Sequence, residues 1–238
     1  FDLGDTLVRE LMVPRTDMVW IEGNKSLRQG LSLALRSGFT RIPVIDENLD
    51  NIIGIAYVKD LARRTHEHRE SELIEMVSAH IRPATFVPET KTAAELLKEM
   101  QRDQIHMAVV VDEYGGTAGL ITIEDILEEI VGEIADEYDD DDLEIEWLSE
   151  TSARLSARLH IENFATSFKI EIAETEREDV DSIGGLLAKT LGRVPIPGST
   201  ISIAGVKLTA ERPVGRRHRI ATVLAERIVD DQETILEQ

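Results

Sequence analysis

The feature that most constrains this chain is an internal repeat of about 66 residues, written twice in succession. The first copy runs LMVPRTDMVWIEGNKSLRQGLSLALRSGFTRIPVIDENLDNIIGIAYVKDL, and the second HIRPATFVPETKTAAELLKEMQRDQIHMAVVVDEYGGTAGLITIEDIL. Each copy opens an amphipathic helix behind a capping signal. Ser26 and Gln29 form an S-x-x-Q box ahead of Leu27, Leu31, Ala34 and Leu35 on one face. Thr92 and Glu95 do the same ahead of Ala93, Leu96, Leu97 and Met100. Each copy then places a short apolar strand ending in Asp, over residues 42–46 and 107–112. After a turn, a second strand containing a Gly leads into a helix start bearing an Asp. Gly54 and Asp60 in the first copy stand where Gly119 and Asp125 stand in the second. The turn Tyr114-Gly115-Gly116 suits a tight reversal, because Gly tolerates positive φ. A β-α-β-β-α unit cannot cover its sheet alone, so the duplication predicts one α/β body built from both copies.

The second copy runs on into a helix with an apolar stripe of Ile126, Leu127, Ile130, Val131 and Ile134. Residues 133–146 then carry nine acidic side chains, a density of like charge that resists packing and reads as a linker. Beyond it the pattern changes. A strand is expected over 154–159, helices over 161–168 and 182–191, a hairpin of 200–204 with 206–210 about Gly205, and a final strand over 220–228. This is a small α+β domain. The expected divisions are 1–72 for the first unit with its lead-in, 73–136 for the second, 137–148 for the acidic linker, 149–232 for the C-terminal domain and 233–238 for a tail.

Composition narrows the function classes. A net charge of −20 over 238 residues repels phosphate backbones and anionic lipid, which argues against a nucleic-acid partner. The absence of cysteine excludes disulfides, thiolate metal sites and Cys nucleophiles. No stretch approaches the roughly 20 apolar residues of a membrane span. The chain opens at Phe1 rather than Met, as a piece of a longer protein would. The six histidines lack ligand spacing. His66 and His68 sit among charges, and His218 lies in a basic patch with Arg216, Arg217 and Arg219 that offsets local acidity or meets an acidic partner. Gly184-Gly185 is read as a close-packing site. No nucleophile–base pair or closed metal cluster is visible, so no enzymatic activity is expected.

The repeated unit resembles the CBS domain, which occurs in pairs whose two clefts often hold adenine nucleotides; residues 5–135 look like one such pair. The phrases LVRELMVPRTDM, SGFTRIPV and DEYGGTAGLITIEDILEEIVGEI resemble the CorC/HlyC family of magnesium and cobalt transport proteins, related to the CNNM proteins. DSIGGLL and LGRVPIPGS resemble that family's transporter-associated domain. The resemblance covers nearly the whole chain. It implies a tandem CBS pair with a small α+β domain, forming the regulatory part of a membrane transport protein on the cytoplasmic face of the plasma membrane. Its own membrane domain would lie outside this sequence, and a homodimer through the pair is expected.

The resemblance also assigns residues. Thr122 and Asp125 correspond to a hydroxyl and a carboxylate that hydrogen-bond ribose, and a carboxylate accepting from two hydroxyls is chemically apt. The same T-x-x-D at a helix start is equally a capping box. Tyr57 replaces Thr122 in the first copy while Asp60 matches Asp125, so the two clefts are unequal; helix capping also explains Asp60. Phe39, Thr40, Arg41, Ile42 and Pro43 form a second group. Phe39 would stack on adenine and Arg41 would offer its donor fork to phosphate, against a core Phe and a surface ion pair as the plainer readings. Val13, Pro14 and Ile121 would wall the adenine pocket. The expected ligand is ATP or AMP, with Mg²⁺ carried on the phosphates rather than by the acidic tract, which has no fixed geometry. The competing readings are a dimerisation module that binds no nucleotide, and a Mg²⁺-dependent hydrolase.

Overall fold

A computed structural model describes residues 4–131, 144–211, 213–214 and 219–228. The chain divides into two compact units, Phe1–Asp136 and Glu137–Gln238.

In the first unit, α1 (Val8–Leu11) and β1 (Val13–Pro14) lead in. The first repeat follows as β2 (Ile21–Glu22), α2 (Leu27–Ser37), β3 (Arg41–Ile45), β4 (Ile52–Tyr57) and α3 (Val58–Glu67). A short α4 (Ser71–Ile74) and β5 (Ile81–Arg82) connect to the second repeat, made of β6 (Phe86–Pro88), α5 (Ala93–Asp103), β7 (Met107–Val111), β8 (Thr117–Thr122) and α6 (Ile123–Val131). The capping box at Ser26 forms in full, with Gln29 N donating to Ser26 Oγ and Ser26 N donating to Gln29 Oε1. At α5 only half the expected box forms. Glu95 N donates to Thr92 Oγ1, while the Thr92 backbone is engaged in an isolated bridge with Leu7. Leu35, expected on the buried face of α2, is 81% exposed; Leu27 and Ala34 carry that face.

Sequence order and spatial order differ in one respect that builds the site. The sheets run β2-β3-β4-β5 and β1-β8-β7-β6. Each repeat thus completes its sheet with a strand from the lead-in to the other. Val13 and Pro14 pair antiparallel with Leu120 and Gly119 of the second repeat. Arg82 and Ile81 pair antiparallel with Ile55 and Ala56 of the first. The exchange is reciprocal at the helix caps too, where Leu7 bridges Thr92 and Met76 bridges Ser26. Val8 and Leu11 accordingly bury in the core of the second repeat, and Val77 in that of the first. The crossing strands run so close that glycine is required. A Cβ on Gly119 would stand 2.2 Å from the Val13 carbonyl oxygen, and one on Gly54 would stand 2.6 Å from that of Arg82. The sheets meet through Met18, Ile45, Ile52, Ile55, Val109 and Leu120.

In the second unit, β9 (Ile145–Trp147) and β10 (Ser152–Ser156) precede α7 (Ile161–Phe168), α8 (Glu174–Arg177) and α9 (Ile183–Leu191). Then come β11 (Thr200–Ile203), β12 (Val206–Ala210), β13 (Pro213–Val214), β14 (Arg219–Ile220) and β15 (Thr222–Arg227). The main sheet is ordered β11-β12-β15-β10-β9. Phe164, Phe168, Leu186 and Leu187 fill the core beneath it. The hairpin at Gly205 forms as expected, with Ala204 and Gly205 both at positive φ. Gly184 lies against the Ala157 carbonyl, 3.1 Å from where a Cβ would stand, which is the close approach read from the glycine pair.

The end of the acidic stretch is a correction. Ile145–Trp147 is a strand on β10 rather than linker, and Trp147 stacks on Phe168 with ring centroids 5.0 Å apart. That apolar anchor outweighs the flanking charge. Residues 137–143 of the expected linker, Ile134, the basic residues Arg216, Arg217 and His218, and the tail 233–238 lie outside the described residues.

Candidate functional site

The site begins where β8 becomes α6. Thr122 closes the strand and Asp125 sits in the first turn of the helix. Asp125 Oδ2 accepts from Thr122 N at 2.7 Å and from Thr122 Oγ1 at 2.6 Å, and Asp125 N donates to Thr122 Oγ1 at 3.3 Å. The T-x-x-D motif is therefore a working cap that also orients the carboxylate. All the acceptance falls on Oδ2, and Oδ1 takes none of these bonds. A carboxylate held by a short bond at one oxygen presents the other in a fixed direction, which suits recognition of a sugar hydroxyl.

Arg41 reaches the same turn from the first repeat. It stands at the start of β3, opposite Tyr57 in the β3–β4 pairing. Its Nη1 lies 3.9 Å from Glu124 Oε1 in the first turn of α6, and its guanidinium carbon lies 5.7 Å from the Tyr57 ring centroid. Among the described residues its Nε is buried without a hydrogen-bond partner. A buried donor left unmet costs about 1–3 kcal/mol, so the arrangement fits an acceptor-rich group entering from outside the chain. β1 runs beside β8 and brings Val13 and Pro14 against the same strand, antiparallel to Leu120 and Gly119.

The remaining expected residues divide. Phe39 is half-buried against the core of the first repeat. Thr40 is exposed, and its carbonyl accepts from Val58 N at 3.0 Å. Ile42 is buried in the core of the first repeat and Ile121 in that of the second, while Pro43 is buried within β3. Asp60 accepts from Arg82 Nε at 2.7 Å. Sequence reasoning missed Glu124 and Arg82. Glu124 hides among the other acidic residues of its helix; Arg82 was visible as the residue before Pro83 in the place where the first copy has Val13 before Pro14.

A separate clamp ties the two hairpin turns together. Arg15 Nη2 donates to Asp50 Oδ2 at 3.0 Å, Arg15 Nη1 donates to the Thr117 carbonyl at 3.2 Å, and Asp50 accepts from Thr117 N at 2.9 Å. The Arg15 hydrogen bond, then the Thr117 amide, hold the Asp50 carboxyl down at about 2. Among the described residues no cluster of three or more His, Asp or Glu is placed to hold a metal ion, and no helix is long and apolar enough to cross a membrane.

Two sheets completed by exchanged strands, with a Thr–Asp turn facing an Arg across the repeat boundary, define a tandem CBS pair. Residues 8–67 and 76–132 match the CBS domain family, and residues 147–228 match the transporter associated domain. The chain belongs to the CorC/HlyC family. It is 40% identical over 217 residues to the magnesium and cobalt efflux protein CorC of Salmonella typhimurium, covering 91% of this chain and 72% of that protein. It is 51% identical over 227 residues to a UPF0053 protein of Mycobacterium tuberculosis, covering 94% of this chain but only 52% of that relative's length. Among solved structures, the CBS domain of a bacterial CNNM/CorC family Mg²⁺ transporter in complex with ATP is 47% identical. It covers 56% of this chain and 92% of its own, with a TM-score of 0.53.

Proposed function

We propose that this chain is the nucleotide-binding regulatory part of a magnesium and cobalt efflux protein. An adenine nucleotide, ATP with Mg²⁺ on its phosphates or else AMP, would bind between the repeats. The observation that carries the reading is the buried, unmet Nε of Arg41 at the turn that presents Thr122 and Asp125. Asp125 would accept from the ribose hydroxyls, Arg41 would meet phosphate, and Val13 and Pro14 would flank the base. The ATP complex of a CBS domain 47% identical to this one supports the choice of ligand.

Because Arg41 belongs to the first repeat and Thr122–Asp125 to the second, one ligand engages both. Any rearrangement of the repeats then carries a difference in nucleotide affinity, and that difference is the coupling a regulated partner would read. The partner would be the protein's own membrane domain, with this chain at the cytoplasmic face and dimerised through the pair. The chain is read as a sensor rather than an enzyme. A second reading is favoured by the self-contained Thr122–Asp125 cap, which is complete without ligand. In that reading the pair only dimerises.

Calorimetric titration with ATP, with and without Mg²⁺, separates the two. Saturable binding is expected, weakened about 10–100-fold in Asp125→Ala, since a hydrogen bond to a charged group contributes about 1.5–3 kcal/mol. Flat traces for ATP, ADP and AMP would leave only the dimerisation reading.

A further inference from the structure

The exchanged strands relate the two clefts residue by residue. Val13 lies opposite Leu120 in the β1–β8 pairing, and Arg82 lies opposite Ile55 in the β4–β5 pairing. Leu120 and Ile55 each follow the glycine that the crossing strand touches, Gly119 and Gly54. Arg82 is therefore the counterpart of Val13, as Tyr57 is of Thr122 and Asp60 of Asp125.

In the first-repeat cleft these three counterparts hold one another. Arg82 Nε donates to Asp60 Oδ2 at 2.7 Å, and the Arg82 guanidinium lies over the Tyr57 ring at 4.2 Å from its centroid. The carboxylate that would accept from a ribose thus accepts from an internal cation, and the ring that stands where the other cleft has Thr122 is covered by that cation. In the other cleft the same position is Val13, a side chain with nothing to donate.

The geometry points to Arg82 as an internal ligand that closes the first-repeat cleft, so that the pair takes one adenine nucleotide and Arg82 decides which cleft receives it. A nucleotide entering the first-repeat cleft would have to displace a bidentate-capable guanidinium from Asp60 and from Tyr57 together. Removing Arg82 frees the Asp60 carboxylate and takes the nearest cation off the Tyr57 ring, leaving Arg41 and Lys59 at 5.7 and 5.9 Å from its centroid. This inference rests on the nucleotide reading of the Thr122–Asp125 cleft, and its test keeps the two apart.

The experiment is stoichiometry by calorimetry, with AMP and with ATP, on the wild-type chain, Arg82→Val and Arg82→Val combined with Asp125→Ala. Val is the residue at the equivalent position, and Arg82→Ala repeats the test where Val alters folding, which a thermal melt reports. The expected result is one nucleotide per chain for the wild type, two for Arg82→Val, and one for the combined variant. A folded Arg82→Val chain whose stoichiometry equals that of its parent overturns the inference. So does a wild type that already binds two. Failure of the nucleotide reading itself appears separately, as a wild type that binds none.

Discussion

Gly119→Ala is the sharpest probe of the strand exchange. The added Cβ would stand 2.2 Å from the Val13 carbonyl oxygen. That atom is backbone, so no rotamer change relieves the clash, and β1 must withdraw by about an ångström to reach ordinary van der Waals contact. Strain of this kind costs about 1–3 kcal/mol. For a unit of this size each kcal/mol corresponds to about 3–5 °C, so the melting temperature of the first unit should fall by about 3–15 °C. Gly54→Ala is the matched control, with its Cβ 2.6 Å from the Arg82 carbonyl oxygen. Both variants should destabilise. Only Gly119→Ala should also weaken nucleotide binding, because it displaces Val13 and Pro14, whereas Gly54→Ala disturbs the other cleft. Differential scanning calorimetry with and without ATP reads both effects. An unshifted transition in Gly119→Ala would refute the close crossing. Equal loss of affinity in both variants would refute the assignment of the clefts.

Two further outcomes follow from side-chain chemistry. Arg41→Met removes a buried donor that has no partner, so the nucleotide-free unit should melt no lower, and up to about 1–3 kcal/mol more stably, while ATP affinity falls; a destabilised variant that still binds ATP normally would contradict the role given to Arg41. Glu75 is held at about 2, below its usual 4.5, by hydrogen bonds from Arg64 first and His80 after it. The unfolded chain therefore takes up that proton more readily, so this contribution is whole above pH 4.5 and is lost as pH falls toward 2. Glu75→Gln should accordingly flatten the acid limb of a stability-against-pH curve in that window, and an unchanged limb would count against the bridge.

The repeat was legible because its signals are local. A capping box at Ser26, short apolar strands ending at Asp46 and Asp112, and the glycine turn at Gly115 each declare themselves within a few residues. The hairpin about Gly205 is of the same kind. The exchange of lead-in strands was not legible. β1 and β5 are two residues each, too short for any periodicity, and Val13 finds its partner at Leu120, more than a hundred positions away. Ile145–Trp147 was hidden for a related reason, since its charge neighbours argue for solvent while its strand pairing and the Trp147–Phe168 stack argue for the sheet. Leu35 shows the limit of helical periodicity, which marks a face without saying how far across it the core extends. At the site, the Thr122–Asp125 motif was readable as a cap and only its resemblance raised it to a ligand-binding turn. The convergence of Arg41 on Glu124 and of Arg82 on Asp60 depends on how the repeats face each other, which no single segment encodes.

Nucleotide binding between the repeats is tested most plainly by a crystal structure of this chain grown with Mg²⁺ and ATP. Nucleotide density is expected in the cleft between the repeats, with ribose hydroxyls on the Asp125 carboxylate and phosphate oxygens at Arg41. Nucleotide held elsewhere, or crystals saturated with ATP in which Asp125 still touches only Thr122, would contradict it.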